Sequence, residues 1–178
     1  NVIIDFKLDY AYYFSEGLAQ VIYEAKRRFI NKEGRFEIIE PSENALRFSE
    51  GLAAVKRNNK WGFINQQGNA IIDFDFNEAL PFSEGLALVN LAGEWGFVDK
   101  QGKVIIPYQF EEALRFSEGL AAVKKNGKRG FINKEGKVII KNQFDKAFYF
   151  FEGLASIKLN DKWGFINNEG KVQIPFQF

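Results

Sequence analysis

The sequence predicts an all-β tandem repeat array of five 34-residue units, each a three-stranded antiparallel meander followed by a short helical or 3₁₀ connector. Three observations carry this. The segment Glu-Gly-Leu-Ala returns five times, with its glycine at Gly17, Gly51, Gly85, Gly119 and Gly153, always 34 residues apart. Between these landmarks apolar residues alternate at the two-residue period of a strand. Turn signals recur at fixed offsets, the mark of one supersecondary unit repeated along a chain. The units run over about 2–35, 36–69, 70–103, 104–137 and 138–171, with a partial unit at 172–178, and make a single repeat domain.

The second copy justifies each element in turn. In Gly51-Leu52-Ala53-Ala54-Val55-Lys56, Ala53 and Val55 alternate with Ala54 and Lys56, which reads as a first strand. Leu52 recurs on the opposite parity, so both faces of that strand are covered near its start. Asn58-Asn59 follows, replaced by Asn126-Gly127 and Ala92-Gly93 elsewhere. Asn-Gly is a strong hairpin signal because both central residues must tolerate positive φ. The second strand, Trp61-Gly62-Phe63-Ile64-Asn65, puts Trp61 and Phe63 on one face. Gly62 leaves a gap on the other, as expected where a backbone or ring approaches closely. Asn65-Gln66-Gln67-Gly68 reads as a type I turn closing on a positive-φ glycine.

A third strand follows at Ala70-Ile71-Ile72 and its equivalent Val104-Ile105-Ile106. The middle position becomes Glu37 and Gln173 in other copies, so Val104 and Ile106 are expected to point inward and Ile105 partly to solvent. Pro107 and Pro175 are expected to end the strand. Phe76, Ala79 and Phe82 are spaced by three, as are Phe110, Ala113 and Phe116, which predicts the short helical connector. Fourteen of the 20 phenylalanines fall at three repeat positions, so they belong to the core that each unit builds with its neighbour.

The pattern F-S-E-G-L-A-x-V-K…K-W-G-F-I-N-x-x-G-K-V-I-I-P resembles the bacterial WG-repeat family, also called KWG repeats. Phe48 to Val55 with Trp61 to Gly68 carry the likeness, as do Phe82 to Val89 with Trp95 to Pro107 and Phe150 to Ile157 with Trp163 to Pro175. Two copies depart from it, with Arg27-Arg28 and Arg129-Gly130 in place of Trp-Gly. The resemblance implies a bacterial β-repeat protein that acts as an interaction module, alone or fused to other domains. It implies no reaction and no cofactor.

Repeats of this kind stack into an open solenoid-like superhelix or close into a β-propeller-like ring. Five hairpins stand against six third strands, the first at Val2-Ile3-Ile4 and the last at Val172-Gln173-Ile174. One surplus strand favours the open array, since a ring needs equal numbers.

Composition narrows function by exclusion. The 178 residues contain no Cys and no His, so thiol chemistry, zinc-thiolate sites and imidazole bases are all missing. A net charge of +1 supplies no field for nucleic acid, and no apolar run approaches the ~18 residues of a membrane span. No signal-peptide pattern is visible at Asn1, and lack of Cys suits cytoplasm and cell surface equally. No catalytic, metal or cofactor residues can be assembled. The glutamates before each glycine (Glu16, Glu50, Glu84, Glu118 and Glu152) read as carboxylates accepting backbone N–H bonds in a turn rather than as a row of cation ligands.

Residues that break the repeat are the better functional candidates, because architecture does not demand them. Lys26, Arg27 and Arg28 form one basic cluster, and Lys124, Lys125, Lys128 and Arg129 another. Aromatics thicken two connectors, at Tyr10, Tyr12 and Tyr13 and at Phe148, Tyr149 and Phe151. Residues 70–103 hold two Lys against six Asp and Glu, whereas 104–137 hold seven Lys and Arg against four Glu. Units of opposite sign suit a charged protein partner or self-association. The sequence is thus read as a non-enzymatic scaffold for protein binding or self-association. The alternative is a carbohydrate- or cell-wall-binding array that stacks glycans on Trp61, Trp95 and Trp163.

Overall fold

A computed structural model describes residues 8–42 and 44–177, which form twenty β-strands and no helix. The described residues fall into two compact units, one of those up to 82 together with 100–102 and the other of 83–99 together with those from 103 onward. In the first unit, β1 (Tyr10–Ser15), β2 (Leu18–Tyr23), β3 (Lys26–Ile30) and β4 (Phe36–Ser42) make one sheet. β5 (Asn44–Ala45), β6 (Leu52–Arg57), β7 (Lys60–Asn65) and β8 (Ala70–Phe76) make the next, followed by β9 (Glu78–Ala79). The second unit begins with β10 (Ala87–Leu91), β11 (Glu94–Val98) and β12 (Val104–Phe110). Then come β13 (Glu112–Ala113), β14 (Ala121–Lys125), β15 (Lys128–Ile132) and β16 (Val138–Phe144) in one sheet. β17 (Lys146–Phe151), β18 (Leu154–Leu159), β19 (Lys162–Asn167) and β20 (Val172–Ile174) form the last. All these sheets are antiparallel meanders in chain order. The strand expected at Val2-Ile3-Ile4 lies outside the described residues.

The hairpins are built as the turn chemistry dictates. Asn58 and Asn59 have φ of 48° and 62°, and Asn126 and Gly127 have 53° and 73°, so both central residues are left-handed. At the second turn Gly68 stands at φ 83° and donates its N–H to the Asn65 carbonyl at 2.9 Å. β6 is buried on both faces from Leu52 to Val55.

The glycine after the tryptophan answers to a wide bulge in the third strand of each meander. Trp95 pairs with Phe110 and Phe97 with Ile106, so Gly96 alone opposes the three residues 107–109. The surplus backbone folds over it. A Cβ on Gly96 would lie 2.7 Å from the Ile106 carbonyl oxygen and 2.9 Å from the Tyr108 nitrogen. Gly62, Gly130 and Gly164 face equivalent oxygens of Ile72, Ile140 and Ile174 at 2.5–2.8 Å. Arg28 takes this position in the first copy, where the same register shift persists and the Arg28 Nε is buried without a partner.

Three expectations are corrected. Pro107 does not end its strand: β12 continues to Phe110, and Pro107 stands in the bulged stretch, where its missing N–H is not needed. Pro175 does follow the end of β20. Val104 is 42% exposed although Ile106 is buried, because a further shift between Phe97 and Val98 breaks the two-residue alternation. The connector is extended rather than helical. Phe110 closes one strand, Ala113 lies in β13, and Phe116 precedes the Ser117–Leu120 bridge. The spacing of three marks a chain turning a corner between sheets, and its short strand makes each meander four-stranded rather than three. In the first and fifth copies that strand reaches six residues.

Replacing Gly96 with alanine is expected to destabilise the protein by about 1–3 kcal/mol, as for other overpacked sites, because the opposing atoms are backbone. Urea unfolding measures this, and an unchanged midpoint contradicts the assignment.

Candidate functional site

Within each unit the copies are joined by the same set of contacts. Ser15 donates its hydroxyl to the Phe48 carbonyl at 2.7 Å, and Ser49 does so to Phe82, Ser83 to Phe116 and Ser117 to Phe150. The repeated glutamates do what their turn setting suggests, but across copies. The Glu16 carboxylate accepts the N–H groups of Glu50 and Gly51 at 2.6 and 2.8 Å. Glu84 accepts from Gly119, and Glu118 from Gly153. Lys134 reaches Glu84 at 3.2 Å. Among the described residues no three Asp, Glu, His or Cys gather as a metal-binding group.

The tryptophans serve packing more than display. Trp61 is buried, and Trp95 and Trp163 are half-buried on β11 and β19. Phe148, 46% exposed, stacks on Trp163 with ring centroids 5.8 Å apart. None of the three rings is fully exposed.

The two basic clusters take different forms. Arg27 donates to the Tyr12 hydroxyl at 3.2 Å. Arg28 lies between the Tyr23 and Phe36 rings, 5.2 and 5.3 Å from their centroids, and 3.6 Å from Glu24. That pair fills space in the first sheet.

The fourth-copy cluster lies on the hairpin of β14 and β15. Register places Glu112, Lys124 and Arg129 side by side across three strands. Lys124 Nζ is 2.7 Å from Glu112 Oε1 and 4.0 Å from Glu111, and Arg129 pairs with the other Glu112 oxygen. Lys128 pairs with Asp145 at 2.5 Å, and Lys125 donates to Gln109 at 2.8 Å. The hydrogen bond from Lys124, joined by the charges of Arg129 and Lys124, holds the Glu112 carboxyl below the usual carboxylate range.

The surface is thus an ion-pair network rather than a bare basic patch. Sequence reasoning missed the acidic half, Glu111, Glu112 and Asp145. A connector taken as helical hides the fact that Glu112 lies directly opposite Lys124.

The WG containing repeat family matches residues 1–26, 28–61, 61–95, 95–128, 130–163 and 163–178. The two residues left between matched stretches are Arg27 and Arg129, where arginine replaces tryptophan. No curated protein sequence matches the chain. Among solved structures, a eukaryotic initiation factor is similar at 14% identity and a TM-score of 0.65, over 94% of this chain and 54% of that one. Hsv2p of Kluyveromyces lactis is similar at 9% identity and 0.59, over 91% and 62%. The extracellular domain of BT4673 from B. thetaiotaomicron is similar at 13% identity and 0.54, over 92% and 27%. The chain thus spans less than two thirds of the length of each, and the likeness is one of fold.

The lowered Glu112 titration gives a pH signature. Its ion pairs contribute above the ordinary carboxylate range, and that contribution is lost as pH falls through the depressed folded-state value. NMR titration is expected to place the Glu112 midpoint below that of a free glutamate and to move it back up in Lys124→Gln. A midpoint unmoved by that substitution contradicts the assignment.

Proposed function

The chain belongs to the WG containing repeat family, and on that footing we propose that it is a non-enzymatic repeat scaffold that binds a protein partner, or further copies of itself. The binding region is the fourth-copy surface of Lys124, Lys125, Lys128 and Arg129. The observation that carries this reading is Arg129 itself. Three other copies hold tryptophan at that position, so the architecture does not require a charge there. Surface ion pairs contribute only about 0–1 kcal/mol each, so folding stability is a poor reason to keep such a network. Mixed charge at an exposed hairpin suits recognition, because it sets register and rejects wrong partners. A fold shared with an extracellular domain is in keeping with a binding role.

The test is a quantitative pull-down with partner captured from the source lysate. Replacing Lys124, Lys125, Lys128 and Arg129 together by glutamine is expected to weaken binding about tenfold or more, consistent with losing charge-assisted contacts. Binding by the parent chain is expected to fall as salt rises. Unchanged affinity removes the patch from the reading. Sedimentation of the same variant against the parent addresses self-association in the same way.

A second reading, carbohydrate or cell-wall binding, draws support from the exposed Phe148 ring stacked on Trp163. It predicts a change in intrinsic tryptophan fluorescence on adding cell-wall glycans. A flat response across a glycan panel eliminates it.

A further inference from the structure

Where the fourth copy lacks its tryptophan, the space is left open. Fifteen residues before the tryptophan position, the first and fifth copies carry an aromatic side chain that approaches it, Tyr12 against Arg27 and Phe148 against Trp163. The fourth copy has Leu114 and Arg129 at these two places. A cavity of about 230 Å³ opens there, where Lys124, Arg129 and Lys146 meet the carboxylates of Glu112 and Asp145 beside Leu114, Ala147 and Phe148. Its charges do not balance. Lys124 and Arg129 share the carboxylate of Glu112, with Glu111 a further 4.0 Å from Lys124, and Asp145 is taken by Lys128 and the Asn160 N–H, which leaves Lys146 as the surplus cation. Arg129 Nη1 is buried with no hydrogen-bond partner, and Lys146 is exposed with no ion pair among the described residues. The apolar part of the lining is Leu114, Ala147 and Phe148.

We propose that this cavity receives a side-chain carboxylate next to an aliphatic residue, presented by an acidic-aliphatic segment of a partner protein. The inference rests on reading the fourth copy as the binding region and specifies what that region recognises. The carboxylate meets Lys146 beside the positive charge of Arg129. The aliphatic group covers Leu114 and the exposed face of Phe148. At about 30 Å³ per water the space holds several waters' worth of ligand, enough for such side chains. A bare inorganic anion leaves the apolar lining uncovered.

The probes are two capped dipeptides, N-acetyl-Glu-Leu-amide and its neutral counterpart N-acetyl-Gln-Leu-amide, titrated into the isotopically labelled full chain and followed by NMR. The Glu peptide is expected to shift the amides of Gly130, Ala147 and Phe148, and the Gln peptide to bind about tenfold or more weakly, as loss of a charge-assisted contact implies. Arg129→Trp restores the residue of the second, third and fifth copies and fills the cavity. It is expected to fold with an undiminished Tm and to lose the shifts. Lys146→Gln is expected to weaken Glu-peptide binding about tenfold by the same reasoning.

Equal affinity for the two peptides, shifts that survive Arg129→Trp, shifts mapping elsewhere, or none at the highest soluble concentration would each overturn the proposal. So would displacement of the Glu peptide by an equal concentration of inorganic phosphate. If the peptide fails while the fourfold glutamine variant still loses its captured protein, this inference falls and the proposed function stands. If the variant keeps its captured protein, the proposed function falls whatever the peptide does.

Discussion

A sheet of four short strands, buried on both faces at its centre, must put its side chains against the sheets before and after it. The contact that meets this need is an edge-on or tilted pair of phenylalanines nineteen residues apart. Phe29 meets Phe48 and Phe63 meets Phe82 in the first unit, and Phe97 meets Phe116 and Phe131 meets Phe150 in the second. Their centroid separations stay within 4.8–5.0 Å, so the geometry is repeated as faithfully as the sequence. Such pairs contribute about 0.5–1.5 kcal/mol beyond the area they bury. Each one also aligns the serine and glutamate that fasten one copy to the next. Repetition at fixed register follows from this, because a single insertion would move the ring away from its partner.

Polar groups at these joints are occupied by structure. The Glu16 carboxylate, which takes two backbone N–H groups from the following copy, is committed to holding a turn whose residues Glu50 and Gly51 are both left-handed. Glu16, Glu84 and Glu118 therefore act as fasteners, and regular spacing here is a sign of architecture rather than of ligand chemistry. Functional potential concentrates where regularity fails. Arg129 replaces a ring by a charge, and its consequences spread to Glu112, Lys124 and the cavity beside Phe148. Arg27 and Arg28 make the same departure in the first copy, yet aromatic side chains absorb them. Similar substitutions thus have different outcomes because Tyr12 and Tyr23 surround one and Leu114 the other.

The period, the strand alternation, the hairpin and Asn-x-x-Gly turns and the phenylalanine core were all legible in the amino-acid string. Each depends on local backbone preference or on a residue type recurring at one register. The close approach over Gly62 was legible too, since a missing side chain between Trp61 and Phe63 leaves room that a backbone or ring must fill. The connector was not. Phe76, Ala79 and Phe82 are buried at intervals of three, which a helical turn and a kinked extended segment satisfy alike. Only strand pairing chooses between them, as where Glu112 and Ala113 of a later copy pair with Lys124 and Val123.

By itself, then, the sequence determined that this is an all-β repeat, where its turns fall and which rings form its core, because those features are settled within one copy and its neighbour. Tertiary structure alone decided the fourth strand, the bulge that carries Pro107 through β12, and the outward face of Val104, since these depend on a register between strands that no single segment encodes. It also decided which cations lack an answering carboxylate. Charge balance at Arg129 depends on Glu112, Asp145 and Lys146, which lie up to seventeen residues away in sequence and meet only when three strands and a corner bring them together.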